Sequence, residues 1–365
     1  MSASHERIAR KLLPRLGLHK LYFLRIASTS SIIGFGMYLP TFRIRTKDIA
    51  EHWQQDSKAL AATLGVEEKT VPGRDEDAFT MAFEAGRQAI ETAKIRSSEI
   101  SAIYVGSESH PYAVKPTSGM LAAALELHPF CHAADLEFAC KAGTAGMQIV
   151  DAMVRAGQIQ YGMAIGTDTA QAAPGDALEY TAAAGAAAVI LGPSDAKNAL
   201  CRIDATLSFT TDTPDFWRAA DEKYPRHAGR FTGEPGYFHH MRTAIQGMLD
   251  TAKLTAKDFA HVVLHMPNGK FPSRTAKEFG FTKEQMSTGF IVPTVGNTYS
   301  ACSPLGLVHV LQKAKKNERI LLVSYGSGSG CDAFVLTMQK NGVALPKDER
   351  ETTYVSYSEL MALRS

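Results

Sequence analysis

The chain has 365 residues, 45% hydrophobic and 21% charged, which excludes a disordered chain and leaves room for two average domains or one large duplicated one. Its net charge of +2 hides an asymmetry: residues 1–31 hold Arg7, Arg10, Lys11, Arg15, Lys20 and Arg25 against Glu6, so residues 32–365 carry −3 and lack the basic surplus of a duplex nucleic-acid binder. Five cysteines, at 131, 140, 201, 302 and 331, lack CxxC spacing and speak against a disulfide framework or a cysteine-rich zinc site and for a reducing cytoplasm, and no apolar run approaches the ~20 residues that cross a bilayer.

The basic leader 1–31 reads as an extension, since no secretory apolar core follows its charges; an Arg-rich targeting or membrane-surface segment is the other reading. From Ile32 onward, strand-like runs recur at Ile32-Ile-Gly-Phe-Gly, Ala102-Ile-Tyr-Val-Gly, Ala134-Asp-Leu-Glu-Phe, Tyr161-Gly-Met-Ala-Ile-Gly and Ala186-Ala-Ala-Val-Ile-Leu-Gly. Helical patterns at 78–95, 116–127 and 142–157 lie between them. The theme repeats with strands at Asp204–Phe209, His261–His265, Arg319–Tyr325 and Ala333–Met338, and helices near 238–253, 273–279 and 303–315. Residues 32–198 and 199–340 therefore read as two βα halves of one duplicated, layered α/β body. The aperiodic stretch Thr210–Tyr237 is expected to be a long functional loop, and 341–365 a surface tail or docking segment.

Cys140 stands where a strand is expected to give way to a helix, in Glu137-Phe-Ala-Cys-Lys-Ala-Gly-Thr. Free N–H groups and the helix dipole there would stabilise a thiolate and lower the thiol pKa; a buried packing cysteine is the other reading. Glu108 closes the strand Ala102–Gly106, where poor solvation raises a carboxylate pKa into the range useful for proton transfer. His265 ends its strand in the same way. Asn297, after Gly296, is placed to present an amide into a cleft, and Ser327 lies in Tyr325-Gly-Ser-Gly-Ser-Gly-Cys-Asp. A strand follows that glycine run, so a dinucleotide loop is excluded; close approach to a thioester, or an N–H for an oxyanion, fits better. Lys270 and Arg274 share a face if their segment is helical, and with Arg230 they would suit the phosphates of an anionic carrier such as coenzyme A.

In this order the motifs resemble the thiolase superfamily, and specifically the archaeal-type hydroxymethylglutaryl-CoA (HMG-CoA) synthases. The resemblance runs from about Ile32 to Met338 through Pro72-Gly-Arg-Asp-Glu-Asp-Ala, Val105-Gly-Ser-Glu-Ser-His-Pro-Tyr, Leu136-Glu-Phe-Ala-Cys-Lys-Ala-Gly-Thr, Pro174-Gly-Asp-Ala-Leu-Glu-Tyr, His265-Met-Pro-Asn-Gly-Lys and Gly296-Asn-Thr-Tyr-Ser. It implies the duplicated five-layer αβαβα thiolase-like fold and a homodimer. It implies an acetyl thioester on Cys140, a proton taken from the acetyl methyl by Glu108, and acetoacetyl-CoA bound and polarised by His265. By the same resemblance Asn297 and Ser327 contact substrate, and Arg230, Lys270 and Arg274 contact coenzyme A. Acetyl-CoA and acetoacetyl-CoA are then the partners, with no metal and no cofactor beyond these thioesters, and with a complex containing acetoacetyl-CoA thiolase and a DUF35 scaffold protein expected, which the segment Tyr354–Arg364 could serve. The competing expectations are a ketoacyl-carrier-protein synthase III-like acyltransferase, which generally lacks a glutamate at position 108, and a non-catalytic scaffold subunit of a thiolase complex.

Overall fold

The computed structural model describes residues 29–364, so nearly all of the basic leader lies outside the described residues. The first half contains β1 (Ser30–Tyr38), β2 (Phe42–Arg45), α1 (Thr46–His52), α2 (Ser57–Leu64), β3 (Glu68–Val71), α3 (Ala78–Ala93), β4 (Ile100–Gly106), α4 (Thr117–Ala124), β5 (His132–Leu136), α5 (Ala142–Arg155), β6 (Tyr161–Asp168) and β7 (Gly185–Pro193). The second contains β8 (Cys201–Thr210), β9 (Phe216–Trp217), β10 (Arg226–His227), α6 (Phe238–Ala252), β11 (His261–Leu264), α7 (Lys270–Glu278), α8 (Lys283–Ser287), α9 (Cys302–Lys313), β12 (Arg319–Gly326) and β13 (Gly330–Met338); β14 (Thr353–Tyr354) and α10 (Tyr357–Leu363) follow.

The main strands run in the order β11-β12-β13-β8-β1-β7-β6-β4-β5. Only Ser31↔Arg202 and Ile32↔Cys201 join β1 to β8, so the array behaves as two sheets hinged at that seam. Each half repeats one pattern: β1-β7-β6-β4 in the first matches β8-β13-β12-β11 in the second, antiparallel at β7 or β13 and parallel beyond. Among the described residues, β5 has no counterpart in the second sheet, and the nucleophile candidate follows that extra strand.

Burial follows from which side chains each helix turns inward. α3 starts at an Asp77/Thr80 capping box and buries Met81, Ala82, Ala85, Ala89 and Ala93 against the first sheet, with Leu121 of α4 beside them. α5 and α9 lie between the sheets, burying Met147, Val150, Val154, Leu305, Val308 and Leu311 among residues of both. α6, α7 and α8 cover the second sheet with Met241, Ile245, Ala276 and Met286. The layers are therefore αβαβα, as the duplicated thiolase-like fold requires. Around the site the backbone comes very close: within the first half a Cβ on Gly106 would stand 2.2 Å from the Ala142 carbonyl carbon, and across the seam of the halves one on Gly166 would stand 2.3 Å from the Ser300 oxygen. Those approaches bring the ends of β4 and β6 against the start of α5 and the turn before α9.

Three sequence expectations change. Glu137 and Phe138 lie beyond β5 in the turn before Cys140, because the chain must leave the sheet to enter α5. The stretch Thr210–Tyr237 is not wholly a loop: β9 and β10 pair antiparallel, with Phe216 opposite His227, and form a small hairpin over the site. The segment 341–365 is not a free tail, since β14 pairs with β2 and α10 buries Tyr357 and Leu360 with Ile44, Ile49 and Val71.

Candidate active site

Cys140 is 3% exposed. The chain reaches it through Ala139, whose φ of 42° is a left-handed conformation that a non-glycine residue adopts only under tertiary constraint. Its Sγ donates to Glu108 Oε1 at 3.2 Å. Burial, and then the Glu108 carboxylate, pushes the thiol pKa well above its ordinary value, which corrects the expectation of a helix-stabilised thiolate. The helix end offers about half a unit charge, and loss of hydration beside an anion outweighs it. Cys140 is thus a protonated thiol hydrogen-bonded to the Glu108 carboxyl group.

Glu108 sits just past β4 in a loop that one buried carboxylate organises. Asp168, ending β6, accepts from Ser107 Oγ at 2.9 Å, Glu108 N at 2.7 Å and Ser109 Oγ at 2.6 Å through one oxygen. Its other oxygen accepts from Ser300 N at 2.9 Å and Ser300 Oγ at 2.7 Å, tying the loop to the second half. Burial first, and the charge of Asp168 second, raise the Glu108 pKa to about 8. Sequence reading passed over Asp168, although it closes the apolar run Tyr161–Gly166 just as Glu108 closes its own strand. Arg218 was also missed: it lies in the hairpin and donates to the Glu108 carbonyl at 3.2 Å.

His265 follows β11 and is 1% exposed. Its backbone is fixed by His265 N donating to Val323 O at 2.9 Å and by Tyr237 OH donating to the His265 carbonyl at 2.8 Å. Among the described residues neither ring nitrogen has a partner, and burial drives the imidazole pKa down to about 3, so the ring is neutral. Asn297 is held by Gly296 at φ 83° and by backbone bonds to Thr181 O and from Ala183 N; its Oδ1 accepts from Tyr299 N at 3.0 Å, which leaves the NH2 end for the cavity.

Cys140, His265, Asn297 and Ser327 line one enclosed chamber of about 50 Å³ with Tyr237, Tyr299 and Tyr325. Beyond Phe216 and Ser327 it adjoins an open cleft of about 650 Å³ lined by Glu108, Phe138, Ala139, Trp217 and Arg218. The glycine run approaches this boundary as expected, but Gly328 N–H is held by Asp215 Oδ1 at 2.8 Å and is not free for an oxyanion. Lys270 and Arg274 lie on α7 as the spacing requires, exposed and outside both spaces; Arg274 pairs with Glu278 at 3.2 Å and covers the Phe238 ring. α7 starts three residues after Pro267, which lines the chamber. Arg230 falls in the turn Gly229–Phe231, and its side chain lies outside the described residues.

Residues 249–338 match the family described as 3-Oxoacyl-[acyl-carrier-protein (ACP)] synthase III C terminal. The chain is 49% identical over 336 residues to the hydroxymethylglutaryl-CoA synthase of Methanosphaera stadtmanae, covering 90% of this chain and 96% of that one. With the enzyme of the same name from Archaeoglobus fulgidus it shares 55% over 305 residues, 84% of this chain and 88% of the relative. In structure it is similar to MvaS in complex with 3-hydroxy-3-methylglutaryl coenzyme A, with a TM-score of 0.83, 22% identity and 92% of each chain covered. Fold and site together define a condensing enzyme of the thiolase class. More narrowly, the chain belongs to the hydroxymethylglutaryl-CoA synthase family.

Proposed function

We propose that the protein condenses acetyl-CoA with acetoacetyl-CoA and water to give HMG-CoA and CoA, the hydroxymethylglutaryl-CoA synthase reaction that feeds the mevalonate pathway to isoprenoids. The observation that carries the reading is the 3.2 Å Cys140–Glu108 pair, with Cys140 lining the same chamber as a neutral His265 whose ring nitrogens have no partner among the described residues. Cys140 Sγ attacks the acetyl thioester as its proton passes to Glu108; the bond to the CoA sulfur breaks, and CoA leaves as the thiol with that proton. Glu108 then takes a proton from the acetyl methyl, and the carbanion-like carbon attacks C3 of acetoacetyl-CoA. A His265 N–H donates to the C3 oxygen while charge develops there, and the proton held by Glu108 returns to form the hydroxyl. Water finally cleaves the thioester to Cys140, releasing HMG-CoA and the free thiol.

Asn297 and Ser327, which line the chamber, contact the substrates in this reading. Arg230, Lys270 and Arg274 meet the coenzyme A phosphates, which stay in solvent while the thioester enters, so exposure of Lys270 and Arg274 suits the role. The reading assigns no metal or further cofactor. It places the protein in the cytoplasm as a homodimer, paired through β5, which among the described residues is an edge strand bonded to β4 alone and preceded by the exposed Phe130. A complex with acetoacetyl-CoA thiolase and a DUF35 scaffold protein belongs to the same proposal, but α10 turns Tyr357 and Leu360 into its own chain, leaving only its outer face for a partner.

The test is an assay of purified protein with both thioesters, following HMG-CoA, free CoA and the mass of the acyl-enzyme together. HMG-CoA should form with equimolar CoA, and acetyl-CoA alone should acetylate Cys140. Protein that is not acetylated contradicts the reading.

A further inference from the structure

We propose that the C-terminal arm, residues 353–364, is a positioning element for the acceptor side of the chamber, acting through the buried carboxylate of Glu179; the inference rests on the function proposed above. Glu179 lies in the turn Ala177–Tyr180 and is fully buried. Four donors from three segments reach it. Trp53 Nε1 and Gly175 N reach Oε2 at 3.0 and 2.8 Å, while Tyr357 OH and Arg364 Nη1 reach Oε1 at 3.0 and 3.3 Å. Arg364 is the cation paired with this carboxylate. Lys69, also fully buried, uses its Nζ on the backbone instead, donating to the carbonyls of Glu179 and Ala182.

The turn that Glu179 anchors touches the chamber at several points. Leu178, the neighbouring residue, lines the chamber wall. Thr181 O accepts from Asn297 N at 2.8 Å, and Ala183 N donates to Asn297 O at 2.9 Å, so the same strip of backbone sets the register of Asn297. Asp176, which caps the turn, meets His227 Nε2 of the covering hairpin at 3.1 Å. The arm thus lies at one end of a short chain of contacts whose other end carries Leu178, Asn297 and the hairpin. Glu108 stands apart from it, because the Asp168 bonds hold its loop, whereas Cys140 shares an apolar cluster with Ala182 and Leu178 of the strip.

This arrangement makes a separable prediction. Without Arg364 the Glu179 carboxylate keeps only neutral donors in a site closed to water, and the turn must shift to hydrate it. The displacement acts on Asn297 through backbone hydrogen bonds and on Cys140 through apolar packing, so acceptor binding should suffer more than acetylation. The experiment uses the full chain as wild type, Arg364→Met, Arg364→Met/Glu179→Gln and Tyr357→Phe. The rate of Cys140 acetylation by acetyl-CoA alone, the KM for acetoacetyl-CoA and the Tm are measured for each. Arg364→Met should raise that KM about tenfold while acetylation stays within about twofold, and adding Glu179→Gln, which removes the stranded charge, should recover most of the loss. Tyr357→Phe removes one hydrogen bond and no charge, and should raise the KM about twofold to threefold even if Arg364→Met fails to fold. An unchanged KM in these variants, or a parallel loss of both half-reactions that tracks Tm, overturns the inference. Wild type that does not acetylate Cys140 would overturn the proposed function itself, and the inference with it.

Discussion

On the wall built by the first half, Cys140 donates to Glu108 and the Asp168 carboxylate accepts five hydrogen bonds from Ser107, Glu108, Ser109 and Ser300. On the wall built by the second half, His265 is equally buried and neither ring nitrogen has a partner. An unpaired buried polar group costs about 1–3 kcal/mol, so the second wall holds stability in reserve that an incoming hydrogen-bonding substrate recovers. Duplication of the fold thus produced two unlike surfaces. In the proposed reaction the first, whose polar groups are paired, carries out the acetyl transfer, and the second receives the acceptor carbonyl.

The comparison can be broken most severely at the nucleophile. Cys140→Ala should abolish acetyl-enzyme and lower condensation by about 10⁴-fold or more, read from product formation and from labelling by acetyl-CoA. His265→Leu separates the walls: condensation should fall about 10²-fold, acetylation should persist, and stability should rise by about 1 kcal/mol because an unsatisfied polar group is lost. A loss of acetylation in that variant, seen by mass, would join the walls functionally. Lys141→Met tests the completeness of the first wall, since Lys141 Nζ and the fully buried Asp332 carboxylate meet at 2.9 Å. Denaturant unfolding should show a loss of about 3 kcal/mol, against almost none for the exposed Lys270→Met.

The first wall is also open to a test by pH. With its pKa raised to about 8, Glu108 is mostly protonated below that pH, so condensation should increase about tenfold per unit up to about pH 8 and then level. The neutral form is the one the fold favours. Stability contributed by Glu108 is therefore complete below the ordinary carboxylate pKa and is lost as pH rises through about 8; Glu108→Gln should flatten both curves.

Much of this was legible because the chemistry sits at strand ends. Apolar runs closed by Glu108 and His265, and a cysteine before a small-residue helix, mark their own places, and the alternation of strands and helices gives the layers. Other parts depend on encounters that local sequence does not record. Glu179 finds Arg364 across 185 residues, and Asp168 finds Ser300 across 132, so neither pairing leaves a spacing to read. The direction of the Cys140 pKa was misread for a similar reason: the helix end is visible in the sequence, whereas the burial that outweighs it is made by Tyr299 and Ala182 from elsewhere in the chain.

The division between the walls is tested most directly by the two half-reactions of Glu108→Ala. Acetyl-CoA alone should still acetylate Cys140 to completion, though more slowly because water must take the thiol proton that Glu108 accepts, seen as an acetyl adduct in the intact mass, while HMG-CoA formation with acetoacetyl-CoA should fall by about 10²–10⁴-fold. Full condensation by this variant, or failure of Cys140 to take up acetyl, would contradict the assignment of Glu108 as the base that makes the carbon nucleophile.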